Sequence, residues 1–156
     1  MCFASSLLFA LARAARFRTM PAPRLFRVIV PVNDLAVAVP FYATLFEDAG
    51  FRVSPGRHYF SCGTVIVALY DPKGDRDARV VRPNFEHVYF AVDDLEAAYA
   101  RAQRVGGLST KTGDGSLPMG EIARRPWGER SFYMFDPSGN PLCFVDSASV
   151  FKGRTI

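Results

Sequence analysis

The chain is 156 residues long, 49% hydrophobic and 22% charged, with a net charge of +4. That length and apolar content suit one domain, or two small modules sharing a core, and exclude a disordered tail. The positive charge gives no nucleic-acid signal. Arg13, Arg16, Arg18 and Arg24 lie in a leader without acidic residues, and from Leu25 onward 15 Lys and Arg balance 15 Asp and Glu. A nucleic-acid footprint needs a basic face on the folded domain instead. Cys2, Cys62 and Cys143 are odd in number, far apart and without a C-x-x-C pair. This argues against a disulfide framework or a structural zinc site and fits a reducing cytoplasm.

Residues 1–24 read as a leader. The apolar run Phe3 to Ala12 is too short to span a bilayer, so no membrane partner is expected. Ala10, Leu11 and Ala12 offer a small-x-small cleavage pattern, but arginines follow the run where a signal peptide has basic residues before it. The favoured reading is a poorly ordered, dispensable extension upstream of a start at Met20.

A single domain is expected over 25–150. Phe26 to Val32 alternates as a strand, with Arg27, Ile29 and Pro31 on one face and Val28, Val30 and Val32 on the other. Pro31 places it at an edge. Asn33 and Asp34 cap a helix with an apolar face of Leu35, Val39, Tyr42, Phe46 and Ala49. Pro40 should kink it or delay its start, and Gly50 should close it. Strands follow at Phe51–Val53, His58–Cys62 and Thr64–Tyr70, with a turn at Ser54, Pro55 and Gly56. Asp71 to Arg82 is charged and carries Pro72 and Gly74, so 73–84 reads as an exposed linker between module one (25–72) and module two (85–150).

The pattern then repeats. His87 to Val92 is a strand, Asp93 and Asp94 cap, and Leu95 to Val105 is a helix with Leu95, Ala98, Tyr99, Ala102 and Val105 inward. Arg27, Val28, Val32, Asp34 and Leu35 align with His87, Val88, Val92, Asp94 and Leu95 at an offset of sixty. Leu108 to Pro126 is rich in small and polar residues, carries Arg124 and Arg125, and suits a binding loop or a plain surface excursion. Phe132 to Phe135, the turn Asp136–Asn140 and Leu142 to Val145 form a hairpin. Both faces of its exit strand are apolar: Leu142 and Phe144 on one, Pro141, Cys143 and Val145 on the other.

Two βαβββ modules, with PVNDL and AVDDL after their first strands and FDPSGNPLCF closing the second, resemble the vicinal oxygen chelate superfamily. This is the group of glyoxalase I, extradiol dioxygenases, and fosfomycin- and bleomycin-resistance proteins. The resemblance covers about Leu25 to Asp146. It implies an α+β fold in which two curved mixed sheets form a cup with helices on the outer faces, often completed across a homodimer. It also implies a divalent metal on cup-facing residues of the enzymes. Those places carry over here to Arg27, His87, a residue near Val67 or Ala68, and Cys143. A guanidinium stays protonated and cannot coordinate, and Val67 and Ala68 offer no donor. Only His87 matches the family's ligand pattern, and a lone His on a strand is more often structural than a ligand.

The departure suggests the bleomycin-resistance branch, which binds a drug without reacting. The expected function is therefore a metal-independent small-molecule binder with no cofactor, holding a planar or anionic compound. Its candidate ligand contacts are Arg27, His87, Tyr89, Trp127, Tyr133 and Cys143. Tyr59, Phe60, Phe85 and Phe132 are further aromatic candidates. One alternative is a metal-dependent lyase, isomerase or dioxygenase using His87, Glu86, Glu121 or Cys143. A second is a degenerate domain kept for protein association.

Overall fold

The computed structural model describes residues 22–112 and 118–153. Most of the expected leader and the middle of the expected binding loop lie outside the described residues. Module one comprises β1 (Arg27–Pro31), α1 (Leu35–Phe46), β2 (Phe51–Ser54), β3 (Arg57–Cys62) and β4 (Val65–Tyr70). Module two comprises β5 (Val88–Val92), α2 (Leu95–Val105), β6 (Ala123–Arg124), β7 (Arg130–Phe135) and β8 (Pro141–Asp146). The sheet orders are β1-β4-β3-β2 and β5-β8-β7-β6. In each, the first strand runs parallel to the last and the remaining pairs are antiparallel. These are two open, curved, mixed sheets with two helices: the repeat predicts the element order, and the family resemblance implies the curved sheets.

Both helices begin where the sequence places them. Asp34 accepts a hydrogen bond from the Ala36 amide at 2.7 Å, and Asp94 from the Ala97 amide at 2.8 Å. Each bond satisfies a first-turn N–H that has no intrahelical partner. Helix α1 differs from expectation in two respects. It ends at Phe46 with Glu47 in the left-handed region (φ 52°), so Gly50 lies beyond it and turns the chain into β2. Its buried positions are Leu35, Ala38, Phe41, Tyr42 and Leu45, while Ala49 is exposed. The helix runs through Pro40, and the hydroxyl of Thr44 donates to the Pro40 carbonyl at 3.0 Å.

One buried cluster joins the modules. Val30, Val67, Leu69 and Phe60 from sheet one meet Phe132, Met134, Leu142 and Phe144 from sheet two around both helices. Phe46 bridges them, its ring 5.5 Å from Phe60 and 5.1 Å from Phe90. Strand alternation therefore sends one side chain in two into this shared core and the next to the opposite face of the sheet.

The turn Asp136–Asn140 fastens module two to module one. Asp136, buried, accepts from the amides of Ser138 and Asn140 and from the hydroxyl of Tyr42 at 2.9 Å. Asn140, fully buried, donates to the Pro31 carbonyl at 2.7 Å and accepts from the Asn84 amide at 2.8 Å. Gly139 has φ 88°, which a side chain would strain.

Two segments read as irregular are more ordered than expected. The start of the linker is a 3₁₀ turn, Pro72–Asp75, whose Asp75 carboxylate accepts from Ser54, the Gly56 amide and Arg57. The loop after α2 contains β6, the strand the repeat requires but two residues cannot signal by alternation. It also holds a bridge from Leu108 to Met134.

Candidate functional site

Alternation and register put Arg27, Ile29, Tyr59 and Ala68 on the face of sheet one turned away from the helices. The Arg27 guanidinium lies over two rings, with Cζ 5.1 Å from the centre of Phe26 and 4.8 Å from that of Tyr59. Phe51 packs edge-on against Tyr59 at 5.8 Å. The Arg27 Nε is buried and has no hydrogen-bond partner among the described residues. The stack holds the plane of the guanidinium, and such contacts stabilise by about 0.5–2 kcal/mol. An unsatisfied buried donor costs about 1–3 kcal/mol. No ion pair to Glu86, Glu121, Glu129 or any other carboxylate forms at Arg27 among the described residues.

The equivalent face of sheet two carries His87, Tyr89, Tyr133 and Cys143. His87 lies just ahead of β5, which begins at Val88. Its ring meets Tyr133 edge-on at 5.0 Å and Tyr89 at 6.2 Å. Burial lowers the His87 pKa, with Glu86 opposing and Lys111 reinforcing the shift, which favours the neutral imidazole. Burial also pushes Tyr133 well above the usual phenol range, with Cys143 and Tyr89 adding to the shift. The Cys143 thiol is pushed up to about 12, again chiefly by burial. Thus the face presents neutral groups.

The six expected contacts are not one constellation. Tyr89 is 56% exposed and lines a hollow of about 380 Å³ with Ala91, Glu129, Val145 and Val150. Tyr133 and Cys143 are covered by Met119 and Val150, so the thiol is a wall residue, not a surface contact. Trp127 sits outside this cluster in the turn before β7, where its Nε1 donates to Glu129 at 2.8 Å. No hydrogen bond or ring contact links Arg27 to His87 among the described residues. Of the other aromatic candidates, Phe60 and Phe132 belong to the core and Phe85 is 95% exposed, while Tyr59 packs on Arg27.

Arg125 was indistinguishable by type from its neighbour Arg124, yet it is 3% exposed. Its guanidinium donates to Ser131 Oγ and to the carbonyls of Pro118, Met119, Glu121 and Ser131. It also stacks over Tyr133 at 5.0 Å. These bonds staple the loop over sheet two and use the guanidinium inside the protein.

The family model for the glyoxalase/bleomycin resistance protein/dioxygenase superfamily matches residues 24–144. The chain belongs to this superfamily. Among solved structures, a superfamily member from Nocardioides is 19% identical, covers 95% of this chain and 99% of its own, and superposes with a TM-score of 0.61. Lactoylglutathione lyase from Agrobacterium tumefaciens is 21% identical over 81% of this chain and 96% of its own, with a TM-score of 0.58. Oxidase ChaP-H2 is 20% identical over 81% and 94%, with a TM-score of 0.62. At these identities the likeness is one of fold. No curated protein matches the chain.

Superfamily enzymes hold a divalent cation, and the residues present here do not suit one. The corresponding places carry a guanidinium at Arg27, apolar side chains at Val67 and Ala68, a protonated buried thiol at Cys143, and a single imidazole at His87. Among the described residues no three His, Cys, Asp or Glu side chains come together in a cation site. A catalytic site generally uses three protein ligands.

Proposed function

We propose that this superfamily member binds a planar, anionic small molecule without a metal ion, in the manner of the drug-sequestering branch. The observation that carries the reading is Arg27, whose guanidinium lies over the rings of Phe26 and Tyr59 and whose buried Nε has no hydrogen-bond partner among the described residues. A carboxylate, sulfonate or phosphate meets such a fork with paired charge-assisted bonds, and an aromatic ligand body suits the adjacent rings. Glu129 lines the hollow beside Tyr89, so an anionic group is better served at Arg27. The neutral His87–Tyr89 surface offers an apolar wall for an uncharged ring.

A thermal-shift panel of planar carboxylates and sulfonates in excess EDTA tests this. A compound that raises the melting temperature of the wild type should have no effect on Arg27→Ala, whose own melting temperature stays near that of the wild type. Stabilisation that survives Arg27→Ala, or that needs added divalent metal, would contradict the proposal.

A further inference from the structure

The internal repeat is broken at one place. At one end of the seam between modules, the turn Asp136–Asn140 reaches across and bonds Tyr42, Pro31 and Asn33. At the other end the corresponding hairpin of module one is closed by Gly63 and Thr64 alone, too short to reach module two. The position on α2 that matches Tyr42 is Ala102, so the ring and hydroxyl that receive the turn are missing as well. A cavity of about 510 Å³ opens there, lined by Val28, Val65, Val67, Phe46, Phe90 and Arg101, with Cys62 and Gly63 at the turn.

Most of these are side chains of the helix-facing side; Tyr89 and Ala91, from the opposite face of β5, line the cavity as well, but Arg27 does not. Its lining is apolar apart from Ser61, the Cys62 thiol, the Tyr89 hydroxyl and Arg101, and Arg101 is its only charged residue among the described residues. Burial, aided by Asp48, raises the pKa of Cys62 and so favours the neutral thiol. The Arg101 side chain is 14% exposed, and its Nε donates to the Leu45 carbonyl at 3.1 Å. Its other partner, Glu47, has a side chain 69% exposed and pairs at 3.1 Å. A solvated carboxylate of this kind adds little to stability, so an incoming anion can displace it. A pocket of 300–1,000 Å³ with apolar walls and one polar anchor is of ordinary small-molecule size.

We infer that this seam cavity is a second ligand site, one that takes an aliphatic carboxylic acid with its chain among the valines and phenylalanines and its carboxylate on Arg101. The inference is independent of the function proposed for the Arg27 face.

Calorimetric titration of the full chain with decanoate, and with decan-1-ol as the uncharged control, tests it. Decanoate should bind with one-to-one stoichiometry and about tenfold more tightly than decanol, a difference of about 1.4 kcal/mol. Val65→Phe, at a half-buried lining position with room beside it, should weaken decanoate at least about tenfold. Arg101→Gln should remove the preference for decanoate over decanol, and Arg27→Ala should change nothing. Unaltered melting temperatures would show that the variants fold. Absence of binding at millimolar decanoate, loss with Arg27→Ala, or indifference to Val65→Phe would each overturn the inference. So would binding by a chain starting at Met20 but not by the full chain, which would assign the cavity to the N-terminal segment.

Discussion

Arg27 and Cys143 show how one residue type acquires a role from its surroundings. The alternation of β1 was enough to set Arg27 opposite Val28 and Val30, and the sixty-residue offset paired it with His87. What the sequence could not convey is that Tyr59, from a strand two places away in the sheet, lies under its guanidinium. Cys143 was legible as a residue facing away from the core, but its covering by Met119 and Val150 depends on two irregular segments, one before β6 and one after β8. That covering has a consequence at high pH. Burial pushes the Cys143 thiol up to about 12 in the folded state, above the ordinary thiol value of 9.0. Its contribution to stability is therefore complete below the unfolded value and is lost as pH rises from there through the folded one. Urea midpoints should fall between pH 9 and pH 11, with Cys143 contributing at most about 1.4 kcal/mol per pH unit. The fall should be shallower in Cys143→Ala, and the same slope in both proteins would contradict this assignment.

Among the elements, the two helices and the final hairpin were the most legible, because caps, apolar spacing and turn chemistry are local. Helix α2 runs from Leu95 to Val105 as expected. The end of α1 was misplaced because Glu47 adopts the left-handed conformation that the sequence suggested for Gly50. Strand β6 was hidden because it is two residues long and is defined by pairing with β7. The hairpin turn also does more than reverse the chain: Asn140 hydrogen-bonds module one at Pro31 and the linker at Asn84. Asn140→Ala would leave the Pro31 carbonyl and Asn84 amide without these partners at a buried junction. The expected loss is about 3 kcal/mol, or roughly 10 °C in melting temperature for a domain of this size. A change of only a degree or two in calorimetry would show that the turn is not a fastening point.

For the whole molecule, the repeat revealed the architecture before any side chain was placed, whereas the relation between the Arg27 and His87 clusters could not be read from it. The apolar side chains left at the surface bear on assembly. Leu25, Phe26 and Phe51 are 66%, 63% and 51% exposed, and Val53 of edge strand β2 is 48% exposed. Edges and apolar faces of this kind are usually covered, and a second copy of the chain is the proposed cover. Light scattering at micromolar concentration should give twice the chain mass, and a monomer would contradict it. The central claim, ligand binding without a metal ion, is tested most directly by the metal content of the purified protein, measured by mass spectrometry before and after chelation. The account predicts less than stoichiometric zinc, manganese, nickel or iron, and no change in content on His87→Ala. One tightly held divalent ion per chain, lost when His87 is replaced, would contradict it and restore a metal-dependent enzyme.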